Sequence, residues 1–220
     1  MKPTIYREVV PKKSLLELLK LLKLYNSFKV NGGNWAPVTD DVRSYSYFDH
    51  ENQVSKVKKI YQQFSFGLWG SDNEVEDEIK NLLYPLQVLH SSINTPQLDK
   101  NCNALPSTGY CTRYTLNHFP VGGGYLGPHT DDYNILNQLQ ALLYITEKPK
   151  YYSQGDLLVK TSHGIFTDSD FNPRTGDVLV FDPQLEHQVS AIDPNSAMKK
   201  FDYESGRVTA VFVPMKLNKD

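Results

Sequence analysis

Gly127-Pro128-His129-Thr130-Asp131 is the stretch on which the reading of this chain turns. It follows a glycine-rich turn, Gly122-Gly123-Gly124. If the stretch is extended, residues two apart share a face, so His129 and Asp131 aim one imidazole and one carboxylate at a common point. That is the start of a metal site, and a metal needs a further ligand. His187 is the candidate, in Gly176-Asp177-Val178-Leu179-Val180-Phe181-Asp182-Pro183-Gln184-Leu185-Glu186-His187. There an apolar strand ends in a polar turn and a histidine opens the next strand. Two imidazoles and a carboxylate form the facial set that holds non-haem Fe(II) and leaves coordination positions open.

Twenty residues beyond His187 comes Gly206-Arg207-Val208-Thr209-Ala210-Val211-Phe212. In a strand Arg207 and Thr209 share a face. A guanidinium opening an otherwise apolar strand is a costly buried charge unless it is paired. Beside a hydroxyl it is a fork for a carboxylate. Around these residues the chain reads as short β-rich runs: 110–119, 139–146, 155–160, 177–181, 187–192 and 207–214.

The first half reads differently. Residues 1–10 suggest a short strand or an arm ended by Pro11. Ser14-Leu15-Leu16-Glu17 has the form of a capping box opening a helix to about Tyr25, with a wide leucine face suited to packing over a sheet. Residues 35–50 are irregular and aromatic, a lid or a packed loop. Val54, Val57, Ile60, Tyr61 and Phe64 recur at helical spacing, so 52–64 is expected to be helical. A further helix is expected over 73–90, with Pro85 kinking or ending it. No repeat or low-complexity linker divides the halves. The expectation is one α+β domain over 1–220, with 1–106 mainly helical support and 107–214 a two-sheet β core.

Composition bounds the function. The chain has 220 residues, 40% apolar and 22% charged, enough for one full-sized core. The net charge of −2 gives no reason to expect nucleic acid or an anionic membrane as partner. No apolar run approaches the ~20 residues that span a bilayer. Glu17, Lys20 and Lys23 interrupt the N-terminal leucines, unlike a secretory signal. A cytoplasmic location is therefore expected, with Cys102 and Cys111 as free thiols.

At this point the chain resembles the Fe(II)/2-oxoglutarate-dependent dioxygenases, over roughly residues 107–214. The likeness rests on His129-x-Asp131, the distant His187 and Arg207-x-Thr209. Gly155-Asp156-Leu157-Leu158-Val159 and the turn Arg174-Thr175-Gly176-Asp177 add to it. The resemblance implies a double-stranded β-helix (jelly roll) with N-terminal helices packed on one sheet. It implies Fe(II) on His129, Asp131 and His187, with 2-oxoglutarate as cosubstrate, O2 as oxidant and ascorbate as a candidate stimulant. Arg207 and Thr209 would take the far carboxylate of 2-oxoglutarate, and Tyr114 on the first long strand would touch it.

Related halogenases replace the carboxylate ligand with a small residue. Asp131 therefore points to hydroxylation of an unactivated C–H, with release of succinate and CO2. Nucleic-acid demethylases of the superfamily carry a second arginine six residues after the first, where this chain has Val213. The expected substrate is a small molecule, an amino acid or related metabolite. Arg113, Tyr125, Arg43, Arg174 and Trp35 are candidates to bind it. A peptidyl or protein side-chain hydroxylase is the alternative enzyme, although prolyl hydroxylases typically use Lys where this chain has Arg207. A non-catalytic cupin-like metal- or ligand-binding protein is the alternative of another class; cupins generally use His-x-His.

Overall fold

The structure is a computed structural model that describes residues 2–27, 36–37, 42–49, 59–66, 74–94, 110–131, 138–199 and 203–216. Among the described residues, two α-helices and a curled antiparallel sheet make up the fold. Helix α1 spans Lys12–Ser27 and α2 spans Glu74–Ile93. The strands of the sheet's main path are β1 (Thr4–Tyr6), β4 (Lys59–Phe66), β5 (Tyr110–Phe119), β6 (Gly124–His129) and β7 (Gln140–Tyr144). They continue with β8 (Leu157–Thr161), β9 (Gly164–Thr167), β10 (Val178–Phe181), β11 (His187–Ile192) and β12 (Arg207–Lys216). They pair in the order β1-β10-β7-β12-β5-β4-β6-β11-β8-β9. Two more strands, β2 (Ala36–Pro37) and β3 (Val42–Asp49), extend from β4.

The sheet has two apolar faces because its strands alternate. On β12, Val208, Ala210 and Phe212 pack in one cluster with Leu15, Leu18 and Leu22 of α1 and Ile79, Leu83 and Leu86 of α2. Val211 lies in the second cluster. There Leu142 and Tyr144 of β7 and Leu179 and Phe181 of β10 meet Leu157 and Val159 of β8 and Phe166 of β9. These strands come from opposite ends of the pairing path, so the sheet closes on itself around this second core. This is the double-stranded β-helix, with both helices on its outer face.

Helix α1 begins earlier than the capping box suggested. Pro11 supplies the first helical carbonyl, accepting the Leu15 N–H at 3.3 Å. Glu17 pairs with Lys20 at 2.9 Å rather than reaching back to Ser14. Pro11 fixes its own φ and leaves its carbonyl free to open the helix, which moves the cap three residues toward the N-terminus. Helix α2 continues through Pro85, at the cost of a backbone hydrogen bond. Leu83 and Leu86, both fully buried on either side of it, hold the helix on the sheet.

The expectation for 35–66 is corrected. Residues 42–49 and 59–66 form the hairpin β3–β4 rather than a loop and a helix. Val54 and Val57 lie outside the described residues. Strand β4 sits against β3 on one edge, and against both β6 and β5 on the other. Ile60, Tyr61 and Gln62, consecutive along it, are all buried, so both of its faces are covered there. A strand covered on both faces loses its period of two, and an apolar spacing of four then imitates a helix. The first half of the chain thus contributes sheet strands as well as helices. Among the described residues, no helix is long and apolar enough to cross a membrane.

Asp177 ties the N-terminal segment to the barrel. Its carboxylate, 1% exposed, takes Arg7 at 2.6 Å. It also accepts the N–H groups of Glu8 at 3.0 Å and Arg174 at 2.9 Å. Asp177→Ala strands these amide donors around a buried hole. Urea denaturation is expected to show a loss of about 2–3 kcal/mol. Most of this comes from the amides, because Arg7 is half exposed and its ion pair is screened. A change below about 0.5 kcal/mol would show that water replaces the carboxylate without cost.

Candidate metal centre

Strands β6 and β11 run antiparallel in a register that sets His187 opposite His129. His129 closes β6. Asp131 lies just past it, 7% exposed, its N–H donated to the Pro183 carbonyl at 2.9 Å. His187 follows a tight turn in which the Leu185 N–H reaches the Asp182 carbonyl at 3.1 Å. The Asp182 side chain takes the Gln184 N–H at 2.9 Å. The end of strand β6 and the Pro183 turn before β11 thus deliver three side chains to one point at the end of the barrel.

The ligand atoms of His129, Asp131 and His187 all lie within 4.8 Å of one another. His129 Nε2 is 3.6 Å from one Asp131 oxygen and His187 Nε2 is 3.7 Å from the other. These distances are too long for hydrogen bonds. They are close to the roughly 3.0–3.4 Å between donor atoms that share one ion at about 2.1 Å. Both Nδ1 atoms are occupied: that of His129 faces the Gly127 carbonyl at 2.9 Å, and that of His187 the Leu185 carbonyl at 2.8 Å. A carbonyl only accepts, so each Nδ1 carries the proton and each Nε2 presents its lone pair. This is the outer support that metal-binding histidines use to fix tautomer and orientation. Burial lowers the pKa of His187, and neighbouring His129 adds to this against Asp131 and the Leu185 carbonyl. The neutral, ligating form is favoured. Phe181 stands edge-on to His187 at 5.2 Å and walls the site. Two imidazoles and one carboxylate on one face fit Fe(II) with open positions.

Deeper in the barrel is Arg207, 1% exposed. Its guanidinium lies 5.1 Å over the Tyr144 ring and 2.8 Å from a carboxylate oxygen of Asp168. None of its nitrogens makes an aligned hydrogen bond, although all are buried. Asp168 meets the guanidinium at one nitrogen, as a close ion pair outside good hydrogen-bond geometry. Burial opposes the charge, yet Asp168 and the phenols of Tyr152 and Tyr144 hold the Arg207 pKa above its ordinary value. A buried cation with unfilled donors suits an anion's carboxylate. Strand β8 connects it to the metal face. His187 pairs with Val159, and the Leu157 N–H, two residues along β8, binds the other Asp168 oxygen at 3.1 Å.

The other candidates separate by face. Thr209 is 1% exposed and shares the inward side of β12 with Arg207 by alternation. Tyr114 is placed elsewhere. It pairs with Phe212, meets its ring at 4.1 Å with the two planes tilted, and donates its hydroxyl to Gln87 of α2 at 3.1 Å. It belongs to the helix-side core, away from Arg207. Tyr125 neighbours Leu126, which packs against the inner cluster. The register shifts between the His187–His129 and Val189–Leu126 pairs, and strand alternation turns Tyr125 to the opposite side. Arg113 and Arg43 lie in β5 and β3, and their side chains are outside the described residues, as is Trp35. Arg174 is exposed in the turn before β10.

Sequence reasoning missed Asp168 and Tyr144. Thr167-Asp168-Ser169-Asp170 reads as a polar loop. It forms a short 3-10 helix (Asp168–Phe171) that buries only its first acid. Residues 140–144 run Gln-Ala-Leu-Leu-Tyr with the last four all buried, so no alternation marked Tyr144 as facing inward.

No family model matches the chain and no curated protein matches it. Solved structures do. A prolyl-4-hydroxylase of Pseudomonas putida is 14% identical, with a TM-score of 0.58, over 96% of this chain and 90% of its own. An oxidoreductase of the 2OG-Fe(II) oxygenase family from Burkholderia pseudomallei is 13% identical, with a TM-score of 0.53, over 98% and 85%. A prolyl hydroxylase from Trichoplax adhaerens, in complex with a peptide fragment of the hypoxia inducible factor oxygen degradation domain, is 16% identical. Its TM-score is 0.58, over 97% and 83%. The chain has the double-stranded β-helix fold of the 2-oxoglutarate- and Fe(II)-dependent oxygenases.

Proposed function

We propose that this protein is an Fe(II)- and 2-oxoglutarate-dependent oxygenase that hydroxylates an unactivated C–H of a small molecule, an amino acid or related metabolite. One observation carries the reading. A two-histidine, one-carboxylate face with both tautomers set shares the barrel with a buried guanidinium that has unfilled donors. His129, Asp131 and His187 would hold the iron. Arg207, with Thr209, would hold the far carboxylate of 2-oxoglutarate. Bound there, Fe(II) with the keto acid and O2 supplies the oxidising power that turns C–H into C–OH, the keto acid leaving as succinate and CO2.

The chain's own residues do the rest. The Gly127 and Leu185 carbonyls keep the two imidazoles aimed. Leu157, Val159, Val189 and Val211 line the inner core with apolar surface and keep water from it. Asp131 supports hydroxylation over halogenation, because its carboxylate fills the position a halide would need.

A second reading, a peptidyl hydroxylase, draws on the prolyl hydroxylases among the similar structures, one of them bound to a peptide. The two separate in one assay. The iron-loaded protein is supplied with 2-oxoglutarate, O2 and ascorbate, and succinate is measured against panels of free amino acids and of peptides. Succinate formation stimulated by an amino acid is the expected result. Stimulation by peptides alone would favour the second reading. No succinate and no 2-oxoglutarate binding would reduce the site to a metal-binding module.

A further inference from the structure

The cation that would receive the cosubstrate is already neutralised by the protein. Arg207 and Asp168 are both buried, 1% and 2% exposed, and 2.8 Å apart. Asp168 is anchored beyond this contact. Tyr144 donates its hydroxyl to one oxygen at 2.8 Å and the Leu157 N–H reaches the other at 3.1 Å. It has nowhere to retreat. The crevice behind it, lined by Lys148, Tyr152, Ser169, Asn172 and Pro173, holds about 20 Å3, room for one water. Asp168 therefore stays beside Arg207 when another anion arrives, and the unfilled Arg207 donors remain for that anion.

On the reading that Arg207 receives the distal carboxylate, we propose that Asp168 is the specificity-setting residue of the cosubstrate pocket. It makes the pocket select the distal group by hydrogen-bond geometry more than by charge. A second carboxylate on the guanidinium would sit roughly 6 Å from that of Asp168, and like charges at that separation repel appreciably in a partly buried site. The pocket accordingly gains less from a charged tail than a lone arginine would. A neutral tail of the same shape loses correspondingly little.

The test uses binding alone. The full chain is loaded with Mn(II) and titrated calorimetrically with N-oxalylglycine, a non-reactive diacid of the same length as 2-oxoglutarate. It is then titrated with N-oxalylglycinamide, whose distal group is a neutral amide. Wild type is expected to prefer the diacid by less than about thirtyfold. A lone buried guanidinium would give more than about a hundredfold, the cost of leaving a buried charge without its partner. Asp168→Asn keeps an acceptor for Tyr144 and Arg207 and removes the charge. It is expected to tighten the diacid about tenfold or more and to leave the amide within about threefold, widening the preference.

A wild-type preference above about a hundredfold overturns the proposal. So does an Asp168→Asn protein that melts like wild type and binds the diacid no more tightly. If Asp168→Asn does not fold, the wild-type ratio decides by itself. Wild type that holds Mn(II) yet binds neither ligand removes the cosubstrate reading of Arg207, and the proposal with it. Wild type that binds the diacid keeps the reading whatever the fate of Asp168.

Discussion

His187→Ala abolishes stoichiometric Fe(II) binding while the protein stays folded; this is the expected result of the most damaging single change in the metal face. The wild-type side chain offers one of three ligand atoms within 4.8 Å of one another. Its Nδ1 is held by the Leu185 carbonyl at 2.8 Å, so its Nε2 is aimed before any ion arrives. Removing an outer support of a metal-binding histidine typically costs about 10–100-fold in affinity. Removing the ligand itself is expected to cost more than about 100-fold. The truncation leaves a small hole beside Phe181, 5.2 Å away, and a modest loss of stability. Iron content after gel filtration, read beside far-UV circular dichroism, gives the answer. His163, exposed in the β8–β9 turn, serves as the control, and His163→Ala is expected to keep full iron content. An intact His187→Ala protein that still holds one Fe(II) would remove His187 from the ligand set.

Arg207→Ala is expected to have two effects with different origins. The first is on stability. It leaves the Asp168 carboxylate buried beside Tyr144 with no cation, and such breakage of a buried pair costs about 3–5 kcal/mol. The second is on 2-oxoglutarate, whose affinity in the metal-loaded protein is expected to fall more than about 100-fold, because the guanidinium donors are lost and the Asp168 charge is left uncompensated beside the distal carboxylate. The double change Arg207→Met with Asp168→Asn separates them. It removes the stranded charge, so denaturation should show most of the stability recovered. The cosubstrate affinity should stay lost, because no cation remains at the barrel floor. If affinity for 2-oxoglutarate is unchanged in Arg207→Ala, the arginine is a structural ion-pair residue and the cosubstrate is held elsewhere.

Some of this architecture was readable before any fold was known, and the reasons are local. Strands β5 and β11 begin and end at 110–119 and 187–192, as their composition and flanking turns indicate. The period of two placed Arg207 and Thr209 on one face, and both are buried inward. Helix α1 was legible from its leucine stripe, and it does pack over the sheet. The hairpin β3–β4 was misread, because Ile60, Tyr61 and Gln62 of β4 are buried on both faces and the strand loses the alternation that marks it. Tyr114 was placed by analogy beside the cosubstrate. Its parity is set instead by its pairing with Phe212, which faces the helices.

The sequence by itself determined the chemical inventory: two histidines and an aspartate at spacings that let strands and tight turns present them, and an arginine opening an apolar strand. Spacing along one chain cannot say which residues from distant segments meet. The tertiary structure decided that His129 and His187 are cross-strand partners. It gave both imidazoles backbone carbonyls that fix their tautomers. It also brought Asp168, from a short polar turn, against Arg207 inside the barrel. The physical reason is closure. Curling the sheet brings β8 and β9 across from β7, β10 and β12, and an acid that reads as a loop residue in sequence becomes the partner of a buried cation.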